Sequence, residues 1–336
     1  MIPAIFGLAD HALTPDERAF FREADPTGFI LFARNIDTPA QVAALTAELR
    51  ELLGRDLPIL IDQEGGRVAR LRPPHWPEFP AAAAFTPLYD FAPMSALEAC
   101  RQNGLALAAT LRAVGINVDC LPVLDVPALG AHDIIGDRAY AANPMWVAAM
   151  GGATLRGLHG GGVVAVVKHL PGHGRARADS HLELPVVDAS RDELAATDCW
   201  PFMRLANRAR MGMTAHVVYT AYDAERCASL SSILIAELVR GKIGFDGWLM
   251  SDDLGMKALT GTMSERATGV IAAGCDVALE CSGDLATMIA VAGALPAMGE
   301  LSGARLSRAM DGLDVPAPDY AITAEHRDAL LATLLL

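Results

Sequence analysis

Two stretches of the chain concentrate residue types that can move protons or attack an electrophile. The first runs Lys168-His169-Leu170-Pro171-Gly172-His173-Gly174-Arg175-Ala176-Arg177-Ala178-Asp179-Ser180-His181. Pro171, Gly172 and Gly174 oppose a helix here and allow unusual backbone angles. Asp179 and His181 stand two residues apart, so in an extended or turned segment the carboxylate can hydrogen-bond the imidazole. That bond fixes the tautomer and stabilises the imidazolium, which suits a general acid/base working near neutrality. A surface aspartate and histidine meeting by chance is the bland alternative. The second stretch is Asp252-Asp253, where alternation along a strand sends the two side chains to opposite faces. Only one is then placed to act as a nucleophile, and spacing does not say which. A structural salt bridge is the other use for either. His169 and His173 have the four-residue spacing of zinc ligands on a helix. Pro171-Gly172 lies between them, however, no H-E-x-x-H occurs, and Lys168 adds like charge. No metal and no other cofactor is expected, and His173 reads as a hydrogen-bonder that organises the loop.

These residues follow a recurring pattern. Strand-length apolar runs occupy residues 2–8, 28–33, 57–61, 115–121, 162–167, 211–217, 247–250 and 275–279. They are short and continuous, as parallel strands buried on both faces must be. Helical segments lie between them at 14–24, 38–53, 95–114, 145–159, 190–210, 231–240, 262–273 and 284–295. Thr14-Pro15-Asp16-Glu17, Thr38-Pro39-Ala40-Gln41, Ser190-Arg191-Asp192-Glu193 and Thr262-Met263-Ser264-Glu265 fit the capping box that opens a helix. Eight strands alternating with eight helices predict an α/β fold, a single (β/α)8 TIM barrel spanning residues 1–336 as one domain. A doubly wound open sheet is the alternative. In a barrel, the chemistry belongs at the C-terminal strand ends. Asp62 follows the third run, Asp125 the fourth, Lys168-His169 the fifth, His216 the sixth and Asp252-Asp253 the seventh. The opposite ends carry turn residues such as Gly160-Gly161-Gly162 and Asp246-Gly247.

Five motifs carry a family resemblance: Ile61-Asp62-Gln63-Glu64-Gly65-Gly66-Arg67-Val68-Ala69-Arg70-Leu71, Leu121-Pro122-Val123-Leu124-Asp125-Val126, Ile135-Gly136-Asp137-Arg138, the loop from Lys168 to His181, and Ser251-Asp252-Asp253-Leu254-Gly255-Met256. Spread in order over nearly the whole chain, they resemble glycoside hydrolase family 3, in its short β-N-acetylhexosaminidase branch. The resemblance implies Asp252 as nucleophile, His181 as proton donor and acceptor, and Asp179 as its partner. It implies Asp62, Arg70, Arg138, Lys168 and His169 as the residues that hold the hydroxyls of a terminal N-acetylglucosamine. It further implies a retaining hydrolase of β-linked N-acetylglucosamine. The expected substrate is a small carbohydrate, a peptidoglycan fragment ending in anhydro-N-acetylmuramic acid, with or without peptide. Larger members add a second domain; here the acid is expected from the barrel itself. Leu170 stands where an aromatic is common, and Arg175 and Arg177 bear on the leaving group.

Composition narrows the remaining classes. A net charge of −13 argues against nucleic acid, whose phosphates need basic patches. Mean hydropathy is positive, +0.29, yet no run of about 18 apolar residues occurs, so no membrane span is expected. Residues 1–10 lack the basic start and long apolar run of a signal peptide. The six cysteines show no C-x-x-C or zinc spacing and read as buried free thiols. Cytoplasmic location and a monomer are the expectations. Two rival functions stand beside hydrolysis. One is a glycoside phosphorylase, because a histidine base does not repel phosphate as a carboxylate does. The other is a non-catalytic sugar-binding barrel, which would not need Asp252, Asp179 and His181 together.

Overall fold

The computed structural model describes residues 1–178, 180 and 183–335. Its strands are β1 (Ile2–Gly7), β2 (Pro26–Leu31), β3 (Ile59–Ile61), β4 (Val118–Asp119), β5 (Val164–Leu170), β6 (Val186–Val187), β7 (Met211–Thr214), β8 (Val218–Tyr219), β9 (Asp223–Cys227), β10 (Trp248–Asp253) and β11 (Val277–Glu280). Eight of them close into a parallel barrel in the order β1-β11-β10-β7-β5-β4-β3-β2, and β6, β8 and β9 form a small separate sheet. Each of the eight expected runs supplies one barrel strand, so the open-sheet alternative falls away.

Period-two alternation divides the apolar residues between two cores. Ile5, Ile30, Leu60, Val118, Val164, Val166, Met211, Trp248, Met250 and Val277 pack together in the lumen. Their neighbours Ala4, Phe6, Phe29, Leu31, Ile59, Ile61, Ala165, Val167, Leu249 and Ala278 belong to the outer core under the helices. Registers such as Leu60 beside Val118, Val118 beside Val164 and Val166 beside Met211 level the inward side chains.

The helices are α1 (Pro15–Ala24), α2 (Pro39–Leu53), α3 (Thr86–Phe91), α4 (Pro93–Arg112), α5 (Pro144–Gly160), α6 (Arg191–Ala196), α7 (Trp200–Leu205), α8 (Met263–Ala273), α9 (Leu285–Ala294), α10 (Glu300–Met310) and α11 (Tyr320–Ala332). Thr14, Ser190 and Thr262 form reciprocal capping boxes with Glu17, Glu193 and Glu265. Thr38 accepts from the Gln41 N–H, but the Gln41 side-chain oxygen accepts from Asp37 N instead of returning to Thr38.

Two helical expectations need correction. Residues 190–210 form α6 and α7 with a break between them. The Thr197 hydroxyl there bonds Glu193 O and Asp198, and Pro201, near the start of α7, has no N–H with which to continue α6. The segment expected at 231–240 is a π-helix over Leu234–Lys242.

Helix α10, beyond the eighth expected segment, closes one end of the barrel. Leu306 and Ala309 join the lumen cluster, and Ser302 Oγ links Trp248 Nε1 to the Asp276 carbonyl. Trp248 begins β10 and Asp276 precedes β11, so the closed end is the N-terminal one. The C-terminal end stays open. Among the described residues no helix is long and apolar enough to cross a membrane. All six cysteines are free thiols, five of them buried.

Candidate functional site

At the open end lies a cavity of about 450 Å³. Its wall has a polar arc from β3, β4 and β5, and an apolar arc from the strands beyond them. The polar arc centres on Lys168, at the C-terminal part of β5 and only 2% exposed. Its Nζ lies 2.8 Å from Asp62 Oδ1 and 2.7 Å from Glu64 Oε1. Asp62 also receives Arg70 at 3.0 Å, and Glu64 receives Arg138 through two bonds of 2.8 and 2.9 Å. Burial alone would raise the pKa of both carboxyls, but the Lys168, Arg70 and Arg138 charges outweigh it and hold Asp62 and Glu64 below the ordinary range. Burial would likewise lower Lys168, and the two carboxylates more than reverse that. Asp62, Glu64 and Lys168 are therefore kept ionised by their neighbours.

The loop after β3 is shaped so that Asp62, Glu64 and Arg70 can converge. The Gln63 amide staples it: Oε1 accepts from Arg70 N and Leu71 N, and Nε2 donates to Leu71 O. Gly65 turns the chain at φ 94°, where a Cβ would lie 2.3 Å from Pro80 O. Arg67 then clasps the loop after β4, with Nη2 donating to the Asp133, Ile134 and Ile135 carbonyls and Nε pairing with Asp137 at 2.9 Å. That grip sets the short turn bearing Arg138.

Asp125 organises the loop after β5. Its Oδ2 meets His169 Nδ1 at 2.7 Å, and its Oδ1 accepts from the backbone N–H groups of His169 and His173 at 3.2 and 2.6 Å. Burial opposes ionisation, yet His169 and these N–H donors bring the Asp125 carboxyl down to about 2. His173 Nε2 lies 3.1 Å from Ser180 Oγ, and burial, helped by His169, lowers its ring to about 4. The two imidazoles meet edge to face, 5.7 Å between centroids, each turned to its own partner. Among the described residues no group of three His, Cys, Asp or Glu side chains could hold a metal ion. Gly174 is glycine because a Cβ would stand 2.0 Å from Val126 O.

Asp252 and Asp253 complete the wall. Alternation was expected to send them to opposite faces, but both line the cavity. A register shift between Met250 and Asp253, where β10 meets β11, breaks the strict period. Hydrogen bonding separates them instead. Asp253 Oδ1 accepts from Gly255 N at 3.0 Å and Cys281 N at 3.1 Å, closing the strand end. Asp252 Oδ1 accepts from Asp253 N at 2.9 Å. Met213, Met256, Leu279, Cys281, Phe32 and Ile30 supply apolar side chains to the same cavity.

One cavity thus brings together Asp62, Arg70, Arg138, Lys168, His169 and Asp252. Asp179 and His181 lie outside the described residues. Sequence reasoning passed over Glu64, which ties Lys168 to Arg138, although its place two residues after Asp62 was a signal. It noted Asp125 at a strand end without giving it the task of holding His169.

Comparison with known proteins agrees with this geometry. Residues 10–312 match the family described as Glycosyl hydrolase family 3 N terminal domain. A β-hexosaminidase of Bordetella avium is 37% identical over 283 residues, 83% of this chain and 80% of that protein. One of Pseudomonas aeruginosa is 37% identical over 322 residues, 95% and 94% of the two chains. The crystal structure of NagZ from Neisseria gonorrhoeae in complex with N-trifluoroacetyl-D-glucosamine superposes with a TM-score of 0.85 at 33% identity, covering 99% of this chain and 96% of that one.

The Asp125 hub generates a stability prediction. Asp125→Asn should lower stability at pH 7 by about 2 kcal/mol, the order expected when bonds to a charged acceptor become neutral. A carboxyl with a depressed folded pKa stabilises above its unfolded value of 3.8 and loses that contribution as pH falls toward about 2. Urea unfolding of both proteins between pH 7 and pH 3 should show the gap narrowing below about pH 4. A gap that does not vary with pH would show that the Asp125 charge is not the stabilising element.

Proposed function

The chain belongs to glycoside hydrolase family 3, and from that premise we propose a retaining β-N-acetylhexosaminidase that works through a covalent glycosyl-enzyme. Hydrolysis of glycosides is the shared activity of the β-hexosaminidases it resembles. The observation that carries the finer reading is one cavity lined both by the Asp62, Arg70, Arg138 and Lys168 charges and by Asp252 with apolar Met213, Met256 and Leu279. Asp62 and Lys168 offer an acceptor beside a donor, the pattern a sugar hydroxyl satisfies by donating and accepting at once. Arg70 Nε, buried and without a hydrogen bond among the described residues, is a further donor. Arg138 and His169 complete the set. A ring held by this arc turns its other side toward Met213, Met256 and Leu279, which suits an acetamido methyl better than a bare hydroxyl.

In the first step an Asp252 oxygen attacks the anomeric carbon. The bond to the leaving oxygen breaks with its electron pair, and protonated His181 supplies the proton. In the second step, neutral His181 takes a proton from water, whose oxygen attacks the anomeric carbon and releases Asp252. Asp179 orients His181 and favours its charged form. The substrate proposed is N-acetylglucosamine linked to anhydro-N-acetylmuramic acid, with or without peptide, as arises in peptidoglycan recycling. The setting proposed is the cytoplasm, with residues 1–336 acting as one domain and as a monomer.

Turnover tests the reading directly. A nitrophenyl N-acetyl-β-glucosaminide should be cleaved with at least about 10-fold higher kcat/KM than the matched glucoside, and added phosphate should leave the products unchanged. Equal efficiency on the two would remove the specificity, and a sugar phosphate product would make the chain a phosphorylase. Asp252→Ala should lose about 10³-fold or more in kcat, whereas Asp253→Ala keeps measurable activity. A fluorinated N-acetylglucosamine analogue should label Asp252 in peptide mapping, and a label on Asp253 would reverse the assignment. His181→Ala should slow a dinitrophenyl glycoside far less than the natural disaccharide, because a good leaving group needs little protonation. Equal losses on the two substrates would mean that His181 is not the acid.

A further inference from the structure

His216 has no task in this mechanism, although it follows β7 at the open end and is fully buried. Both of its ring nitrogens are engaged. Nδ1 lies 2.8 Å from Ser229 Oγ, and Nε2 lies 3.0 Å from the Asp253 carbonyl oxygen. A carbonyl can only accept, so Nε2 carries the proton and Nδ1 accepts from the Ser229 hydroxyl. Ser229 Oγ also stands 2.7 Å from Thr214 Oγ1 and 3.1 Å from the Ala215 carbonyl oxygen, so a buried hydroxyl pair anchored to backbone holds the Nδ1 side of the ring. On the other side the Nε2–H donates to the Asp253 carbonyl. Burial holds the imidazole below its ordinary pKa against the pull of the nearby Asp252 charge, which keeps the ring neutral.

Beyond the Nε2 bond, residue 253 is clamped. Its carboxylate is held by the Gly255 and Cys281 N–H groups. The peptide that follows is pinned at both ends, its oxygen by His216 and its N–H, from Leu254, by the Leu279 carbonyl at 2.9 Å. The Asp253 N–H is what donates to Asp252 Oδ1. We infer that His216 is a positioning residue for the nucleophile: its Nε2–H fixes the Asp253 backbone, and that backbone orients the Asp252 carboxylate. The inference rests on Asp252 being the nucleophile of the reaction proposed above.

The test compares His216→Phe, which keeps ring volume without the N–H, with His216→Gln, whose amide N–H reaches the place of Nε2. On a nitrophenyl N-acetyl-β-glucosaminide, His216→Phe should lose about 100-fold in kcat, with KM within about threefold, as expected of a misaimed reacting group. His216→Gln should regain at least about 10-fold of that loss, and the pH-rate profile should keep both limbs in both variants. Ser229→Ala, one bond further from the nucleophile, should cost about threefold to tenfold by removing the group that holds the Nδ1 side of the ring.

Equal kcat in folded Gln and Phe variants would show that packing alone matters and overturn the inference. So would an acid limb that disappears with His216, because the residue would then act by its charge. Should the Phe variant fail to fold, an unchanged kcat in Ser229→Ala overturns it as well. Crystal structures read the same point without turnover: the Asp252 carboxylate should rotate in the Phe variant and hold its place in the Gln variant. Failure of the unmodified chain to cleave any glycoside is a separate result that falls on the proposed function.

Discussion

The site depends on one buried ammonium. Lys168 can remain charged in the barrel mouth only because Asp62 and Glu64 both stand within hydrogen-bond distance, since a lone buried charge costs several kcal/mol. Glu64 in turn secures Arg138, and Asp62 secures Arg70. The ends of β3, β4 and β5 are therefore joined by charge, whereas the levels below them are joined by Leu60, Val118, Val164 and Val166. The barrel changes from an apolar filling to an ionic one over a single layer of side chains, and the cavity begins where that change occurs. A lysine one layer deeper would sit among aliphatic side chains and would be neutral; one layer higher, water would screen it.

The Asp252 side of the cavity is built on another principle. Met213, Met256 and Leu279 join Asp252 in lining the cavity, and backbone groups secure the strand end: the Asp253 N–H, the carbonyl taken by His216 and the two N–H groups bound by the Asp253 carboxylate. Burial raises the Asp253 carboxyl above its ordinary pKa, while cationic neighbours hold Asp62 and Glu64 below theirs. Carboxylates lining one cavity are thus given opposite tendencies by their surroundings.

Much of this was legible in the residues. Short apolar runs ending in Asp62, Asp125, Lys168, His216 and Asp252 state both the strand count and the end at which chemistry gathers, because buried parallel strands need continuous apolar character and polar residues survive only at their ends. Periodicity could not reveal the register shift in β10, which depends on how two strands meet, so it separated Asp252 from Asp253 by the wrong criterion. It did not divide 190–210 either: Pro201 was a visible signal for a break, but the turn before it is set by where the Thr197 hydroxyl bonds. Glu64 escaped notice because its role lies in a pairing with Arg138, 74 positions away, and tertiary distance leaves no local trace. The plug formed by α10 was equally hidden, because nothing local shows that Leu306 and Ala309 meet the lumen side chains.

That plug has a bearing on traffic. With the lumen filled by side chains such as Leu60, Val118, Val166 and Met250, and α10 packed beneath them, the barrel offers no passage through itself, and whatever enters the cavity must leave by its mouth. On the proposed function, a sugar held by Asp62, Arg70 and Lys168 occupies the inner end, with the group attached to its anomeric carbon nearer the exit. The aglycone can then depart with the sugar still in place, but the sugar cannot pass an aglycone that remains. On the proposed function, order of release becomes a property of the container, and the packed barrel beneath the cavity, remote from every reacting atom, decides which product waits for the other.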